Sequence, residues 1–149
     1  MTKILFICHG NICRSPLASS FFQDLIDKHN TQDLFFTDSA ATSREEIGNH
    51  IYPPMLSLAK KENLPLLNHR ARQVTKADVD GFDYLIVMDY NNKHNLLRAF
   101  PEAEAKVHLL TAFSGKEVEI EDPWWTQNYS KVFNQIKDST LNFYNHLNN

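Results

Sequence analysis

An α/β fold is expected, with a parallel sheet covered by helices on both faces, and three observations predict it. Short apolar runs rich in β-branched and aromatic residues recur at 4–7, 34–39, 82–88 and 106–110. Strands buried on both faces read as such continuous runs rather than as strict alternation. Segments with helical periodicity separate the runs, and strand alternating with helix is the pattern of right-handed parallel crossover units. The 149 residues suffice for one core, so a single domain spanning 1–149 is expected.

Each element follows in order. Ile4, Leu5, Phe6 and Ile7 make the first strand, which ends at Cys8. Ser15 is expected to cap the next helix with Pro16 in its first position, and the pairs Leu17/Ala18, Phe21/Phe22 and Leu25/Ile26 supply its apolar face. A second strand over 34–39 ends in polar residues. The stretch 40–54, punctuated by Gly48 and the pair Pro53 and Pro54, reads as a long functional loop leading into a helix over 55–63. The third strand, 82–88, runs into Asp89 and a helix over 90–97, and Pro101 breaks the chain before the strand at 106–110. Tyr129, Val132, Phe133, Ile136, Thr140, Phe143 or Tyr144, and Leu147 give a terminal amphipathic helix from about residue 130, its stripe belonging to the core.

Composition excludes several classes. A formal charge of −3 without a basic run argues against nucleic-acid or membrane-surface binding. No signal peptide and no bilayer-spanning segment are visible. The two cysteines, Cys8 and Cys13, share one loop, which is incompatible with a secreted disulfide scaffold and fits a reducing, cytoplasmic compartment.

The chemistry is concentrated in residues 8–16, Cys-His-Gly-Asn-Ile-Cys-Arg-Ser-Pro, which read as a strand end, an anion cradle and a helix start. Unpaired N–H groups and the positive end of the helix dipole bind phosphate-like anions without metal. Gly10 is expected to let the backbone turn tightly. Arg14, six residues after Cys8, is placed to fork two oxygens of the same anion. In that field Cys8 is expected to be a thiolate, since helix N-termini and adjacent cations lower a cysteine from about 8.5 into the range of roughly 3.5–7.5.

This string resembles the signature of the low-molecular-weight protein tyrosine phosphatases, Cys-x-Gly-Asn-x-Cys-Arg-Ser-Pro, with His9 and Ile12 in the variable places, and the resemblance covers nearly the whole chain. It implies the strand order 2-1-3-4 and a substrate loop formed by His9, Gly10, Asn11, Ile12, Cys13 and Arg14. Ser39-Ala40-Ala41-Thr42 is similar to the family's Ser-Ala-Gly/Ala-Thr element, whose following loop walls the cleft. Glu45 and Glu46 stand where many members carry an aromatic or neutral residue, the alternative for both being a solvated loop tip. His69-Arg70-Ala71-Arg72-Gln73-Val74 resembles the element in which the histidine buttresses the phosphate loop through its asparagine, here Asn11. Arg70 and Arg72 read as surface or ion-pair residues.

Expelling an alkoxide or phenolate requires a proton donor, and Glu121-Asp122-Pro123-Trp124-Trp125 resembles the family's Asp-Pro-aromatic-aromatic loop that carries one. By the resemblance, Asp122 is the acid of the first step and the base of the second, and Trp124 and Trp125 line the pocket. The alternatives are a turn aspartate before proline and tryptophans packed in the core. The implied activity is hydrolysis of phosphotyrosine or small aryl phosphate monoesters through a cysteinyl phosphate. Ser15 would stabilise the departing thiolate, with Asn11, Ser39 and His69 in support. No cofactor or metal is implied; inorganic phosphate would be product and inhibitor, and the chain a monomer or weak dimer. Cys13 is near enough in the resembled loop to trap an oxidised Cys8 as a disulfide, the alternative being a small packing residue. Two rivals remain: an arsenate reductase of the same fold, which needs cysteines after Cys13 that this chain lacks, and a non-catalytic phospho-ligand or flavin-binding module.

Overall fold

The computed structural model describes all of residues 1–149. In chain order the elements are β1 (Thr2–Cys8), α1 (Arg14–Lys28), β2 (Phe35–Ala41), α2 (Pro53–Lys61), α3 (Lys76–Gly81), β3 (Tyr84–Val87), α4 (Tyr90–Ala99), β4 (Val107–Leu109), α5 (Pro123–Thr126) and α6 (Tyr129–Leu147), with 3₁₀ turns at Pro101–Lys106 and Leu110–Ser114. The four strands pair in parallel in the order β2-β1-β3-β4, as expected.

Period-two geometry divides the central strand between two cores. Ile4 and Phe6 face a layer built from α1, α2 and α6, whereas Leu5 and Ile7 face Val79 of α3 and Leu96 of α4. Aromatic rings knit the first layer. Phe6 lies 5.8 Å from Phe22 of α1 and meets Phe143 of α6 edge-on at 6.3 Å, so the two long helices are keyed to the strand that carries the cysteine. The stripe on α6 is core, with Val132, Phe133, Ile136, Thr140, Phe143 and Tyr144 buried. No helix is long and apolar enough to cross a membrane.

Several expected boundaries move for identifiable reasons. The first helix begins at Arg14, with Cys13 in the cap position and no side-chain cap. Ser15 is not the cap, because its hydroxyl is turned to the Cys8 sulfur, 3.0 Å away. The second strand extends to Ala41 because residues expected in the loop are held by backbone bonds: Ala41 N–H donates to Arg72 O, and Val74 N–H donates to Ala41 O. Helix α3 was not anticipated, being too short for a hydrophobic period to register. Its signal is a capping box, in which Thr75 accepts from Asp78 N–H and Asp78 accepts from Thr75 N–H. Phe82, expected in the third strand, ends this helix instead.

The path β1–α1–β2, followed by β3 on the other side of β1, makes the carboxyl end of β1 a topological switch point, where ligands of open α/β sheets bind. Cys8 is the last residue of that strand.

Candidate active site

Residues 9–13 connect β1 to α1, and the loop after β2 is stitched onto them through the backbone. Thr42 N–H donates to Cys8 O, Ser43 N–H to His9 O and Tyr52 N–H to Ile12 O. Between this assembly and the Asp122 loop lies a cavity of about 340 Å³, lined by Cys8, His9, Gly10, Ile12, Cys13, Arg14, Glu45, Glu46, Asp122, Trp124 and Trp125. That size suits a single small ligand.

Asn11 is the keystone of the loop. It is fully buried with φ 59°, a left-handed conformation that asparagine tolerates better than most residues. Arg72 N–H can only donate, so the atom it meets at 3.1 Å is Asn11 Oδ1, and the amide Nδ2 therefore donates to Ser15 Oγ at 2.8 Å and Ser39 Oγ at 2.9 Å. Ser15 keeps its single proton for Cys8 Sγ, the direction that an ionised sulfur, which can only accept, would require. Asn11 N–H reaches the same sulfur at 3.3 Å. Two donors thus converge on Sγ. Asn11 is fully buried and is not among the residues lining the cavity, and its side chain holds the loop together, the supporting place expected of it.

His69 does buttress the loop, by donating from Nε2 to Asn11 O rather than to its side chain. Burial holds its imidazole below the ordinary histidine value, and the carbonyl acceptor requires that Nε2 carry a proton. Gly10 does not adopt a left-handed conformation. A Cβ there would stand 3.3 Å from Glu46 Cγ, so a side chain at this position would press on the facing Glu46.

Arg14 is 2% exposed. Its Nη1 donates to Asp89 Oδ2 at 2.7 Å and Ile120 O at 2.8 Å, while Nη2 lies 3.6 Å from Asp122 Oδ2. Burial alone would lower its pKa, but Cys8, Asp89 and Asp122 outweigh that and hold the guanidinium above its ordinary value. Asp89 was overlooked as a site residue. It caps α4 by accepting from Asn92 N–H and turns its other oxygen to Arg14. The available signal was an acidic residue just past the end of β3, at the same sheet edge as Cys8. Asp89→Ala removes both the cap and the partner of a buried cation, and is expected to lower unfolding stability by about 3–5 kcal/mol. Urea unfolding measures it, and a loss below about 1 kcal/mol would show that Ile120 O and Asp122 hold the guanidinium unaided.

Asp122 has two tasks. Oδ1 accepts from Trp124 N–H at 3.1 Å, capping α5, and Oδ2 faces Arg14 across the cavity. The turn reading and the catalytic reading therefore describe different oxygens of one carboxylate. Beside it, Glu121 is clipped to α6 by Lys131 at 2.7 Å and by Asn128 Nδ2 at 2.9 Å, and these partners bring its carboxyl down to about 2. Trp124 packs against Tyr52 with ring centroids 5.0 Å apart, and Trp125 is 80% exposed. Both tryptophans line the cavity and neither belongs to the core.

The remaining candidates fall around this centre. Ser39 accepts from Asn11, as a supporting residue should. Arg72 pairs with Asp38 and Asp78, and Arg70 donates to Gly48 O, the ion-pair and surface places expected of them. Glu45 and Glu46 both line the cavity, and Glu45 Oε2 meets His9 Nε2 at 2.9 Å. Cys13 is free and buried, and burial, with Cys8 beside it, pushes its thiol far above the ordinary value. It fills the cavity wall as a neutral thiol. No group of three His, Cys, Asp or Glu side chains is placed to hold a metal ion.

Residues 3–149 match the family model described as low molecular weight phosphotyrosine protein phosphatase. A chicken protein of that name is 40% identical over 142 residues, 89% of this chain and 87% of the relative. Among solved structures, YfkJ from Bacillus subtilis superposes with a TM-score of 0.95 at 30% identity, covering 99% of this chain and 95% of that one. A Drosophila arginine phosphatase superposes with a TM-score of 0.89 at 29% identity, covering 100% of this chain and 99% of that one.

Proposed function

The chain belongs to the low-molecular-weight phosphotyrosine protein phosphatase family, and from that premise we propose that it hydrolyses phosphotyrosine and related aryl phosphates through a cysteinyl phosphate on Cys8. The reading is carried by one observation: a sulfur and a guanidinium from one loop and a carboxylate from a segment far along the chain converge on one cavity with an aromatic rim.

The phosphate enters against the loop amides and those Arg14 donors that Asp89 and Ile120 leave free, which stabilise the equatorial oxygens as charge redistributes. Cys8 Sγ attacks phosphorus in line with the ester oxygen. The S–P bond forms, the P–O bond breaks, and Asp122 transfers its proton to the departing phenolate. Asp122, now a carboxylate, then takes a proton from water as that oxygen attacks phosphorus. The S–P bond breaks, inorganic phosphate leaves, and the Ser15 hydroxyl donates to the released thiolate. Trp124 and Trp125 offer flat faces to a phenyl ring, which favours aryl esters.

Release of p-nitrophenolate from p-nitrophenyl phosphate in the presence of EDTA, and of phosphate from a phosphotyrosine peptide, is the expected result. Thiol-driven arsenate reduction should be absent, and a phosphoarginine peptide should be a poor substrate. Faster turnover of phosphoarginine than of phosphotyrosine would overturn the aryl assignment, and phosphate binding without release would leave a phospho-ligand module.

A further inference from the structure

The phosphatase reading accounts for the charges deep in the cavity but not for those at its mouth. Three carboxylates line it, on Glu45, Glu46 and Asp122, and the only cation among the lining residues besides His9 is Arg14. Arg14 is buried and already engaged by Asp89 and Asp122. Glu46 turns its carboxylate to the Asn49 amide. Glu45 is different: its side chain is 69% exposed, with His9 Nε2 as its partner. Arg44, next to it in the chain, does not line the cavity.

His9 directly follows the nucleophile in sequence, and the His9–Glu45 pair lines the same cavity as Cys8. An exposed carboxylate there is placed to meet residues flanking a phosphorylated side chain seated in that cavity. His9 Nε2 donates to one oxygen of the Glu45 carboxylate, whose exposure leaves the rest of it open to solvent, and the segments next to the phosphorylated residue then meet an acidic rim.

We propose that Glu45 is a specificity-determining residue, and that the substrates of this site are phosphotyrosines in a basic sequence context, with Lys or Arg immediately beside the phosphorylated residue. The inference rests on the phosphotyrosine reading and adds the substrate class to it. Exposed ion pairs are individually weak, so each flanking charge changes kcat/KM by about 1.5- to twofold, and the gain from a basic neighbour compounds with the loss from an acidic one. The preference is carried by a solvent-exposed charge and is therefore screened by salt.

The test uses two phosphotyrosine peptides of equal length, one with Lys on both sides of the phosphotyrosine and one with Glu, and reads the ratio of their kcat/KM values. A ratio of about ten in favour of the basic peptide is expected at low salt, falling towards two in about 0.5 M NaCl. Glu45→Gln should bring the low-salt ratio to about three or less, and Glu45→Lys should invert it. Glu46→Gln, whose carboxylate is tied to Asn49, should change it less than Glu45→Gln does. A wild-type ratio near one, or a ratio unmoved by Glu45→Lys, overturns the inference while leaving the phosphatase standing. Failure to hydrolyse either peptide or p-nitrophenyl phosphate overturns the phosphatase reading itself.

Discussion

Cys8→Ser is expected to lower kcat on p-nitrophenyl phosphate by at least about ten-thousandfold while leaving the affinity for inorganic phosphate within a few-fold of the wild type. The substitution exchanges sulfur for oxygen at the atom proposed to bond phosphorus. A serine hydroxyl is scarcely ionised at neutral pH, and neither hydrogen-bond partner at this position is a base that could take its proton. The neighbours of Sγ are donors, Ser15 Oγ at 3.0 Å and Asn11 N–H at 3.3 Å, which stabilise an anion already formed but cannot generate one. Anion binding has a separate origin, in the loop amides and Arg14, whose positions are fixed by Asn11, His69 and Asp89 and not by the sulfur. Steady-state kinetics and calorimetric titration of phosphate separate the two quantities. Retention of more than about 1% of wild-type kcat would remove the covalent intermediate, because it would require direct attack of water on the ester.

The parts of the site that the sequence made legible are those whose chemistry is local. Cys8 and Arg14 are held on one loop six residues apart, and the strand before them and the helix after them are written in continuous and period-four apolar patterns, so their convergence could be read along the chain. Asp122 and the tryptophans were legible only through the resemblance, since nothing in their own spacing ties them to Cys8. Asp89 was not legible. It lies 75 residues from Arg14, and the contact exists only because β1 and β3 are neighbours whose ends share an edge. The cap expected of Ser15 fails for the opposite reason, while its hydroxyl does stand beside the sulfur as the resemblance implies. Its place before a proline at a helix start is that of an N-cap, and only the burial of the loop, with Asn11 Nδ2 supplying its oxygen, makes the sulfur a better partner for its proton. The left-handed backbone of the loop falls on Asn11, not on Gly10, which nothing in the residue types foretells.

Asp122→Asn separates the two proton transfers. The amide keeps an oxygen to accept from Trp124 N–H, so the cap on α5 and the course of the loop should persist, and what is lost is the proton. Against a phosphotyrosine peptide the leaving group is a tyrosinate, the conjugate base of an acid with pKa about 10, and its expulsion without a donor is costly: kcat/KM should fall by about a hundred- to ten-thousandfold. Against p-nitrophenyl phosphate the leaving phenolate is far more stable, and the first step needs little help. Its kcat/KM should fall much less. The second step has no such escape, because water must still lose a proton while attacking the cysteinyl phosphate, and the asparagine accepts none. The variant should therefore release p-nitrophenolate in a burst approaching one equivalent per enzyme, followed by slow turnover. Rapid-mixing absorbance measurements read the burst directly. Equal losses on the two substrates, or full turnover of both, would assign the proton to another group. The distance of 3.6 Å between Arg14 Nη2 and Asp122 Oδ2 argues against that, because the carboxylate already stands beside the guanidinium proposed to bind the phosphate oxygens, within reach of the bond that breaks.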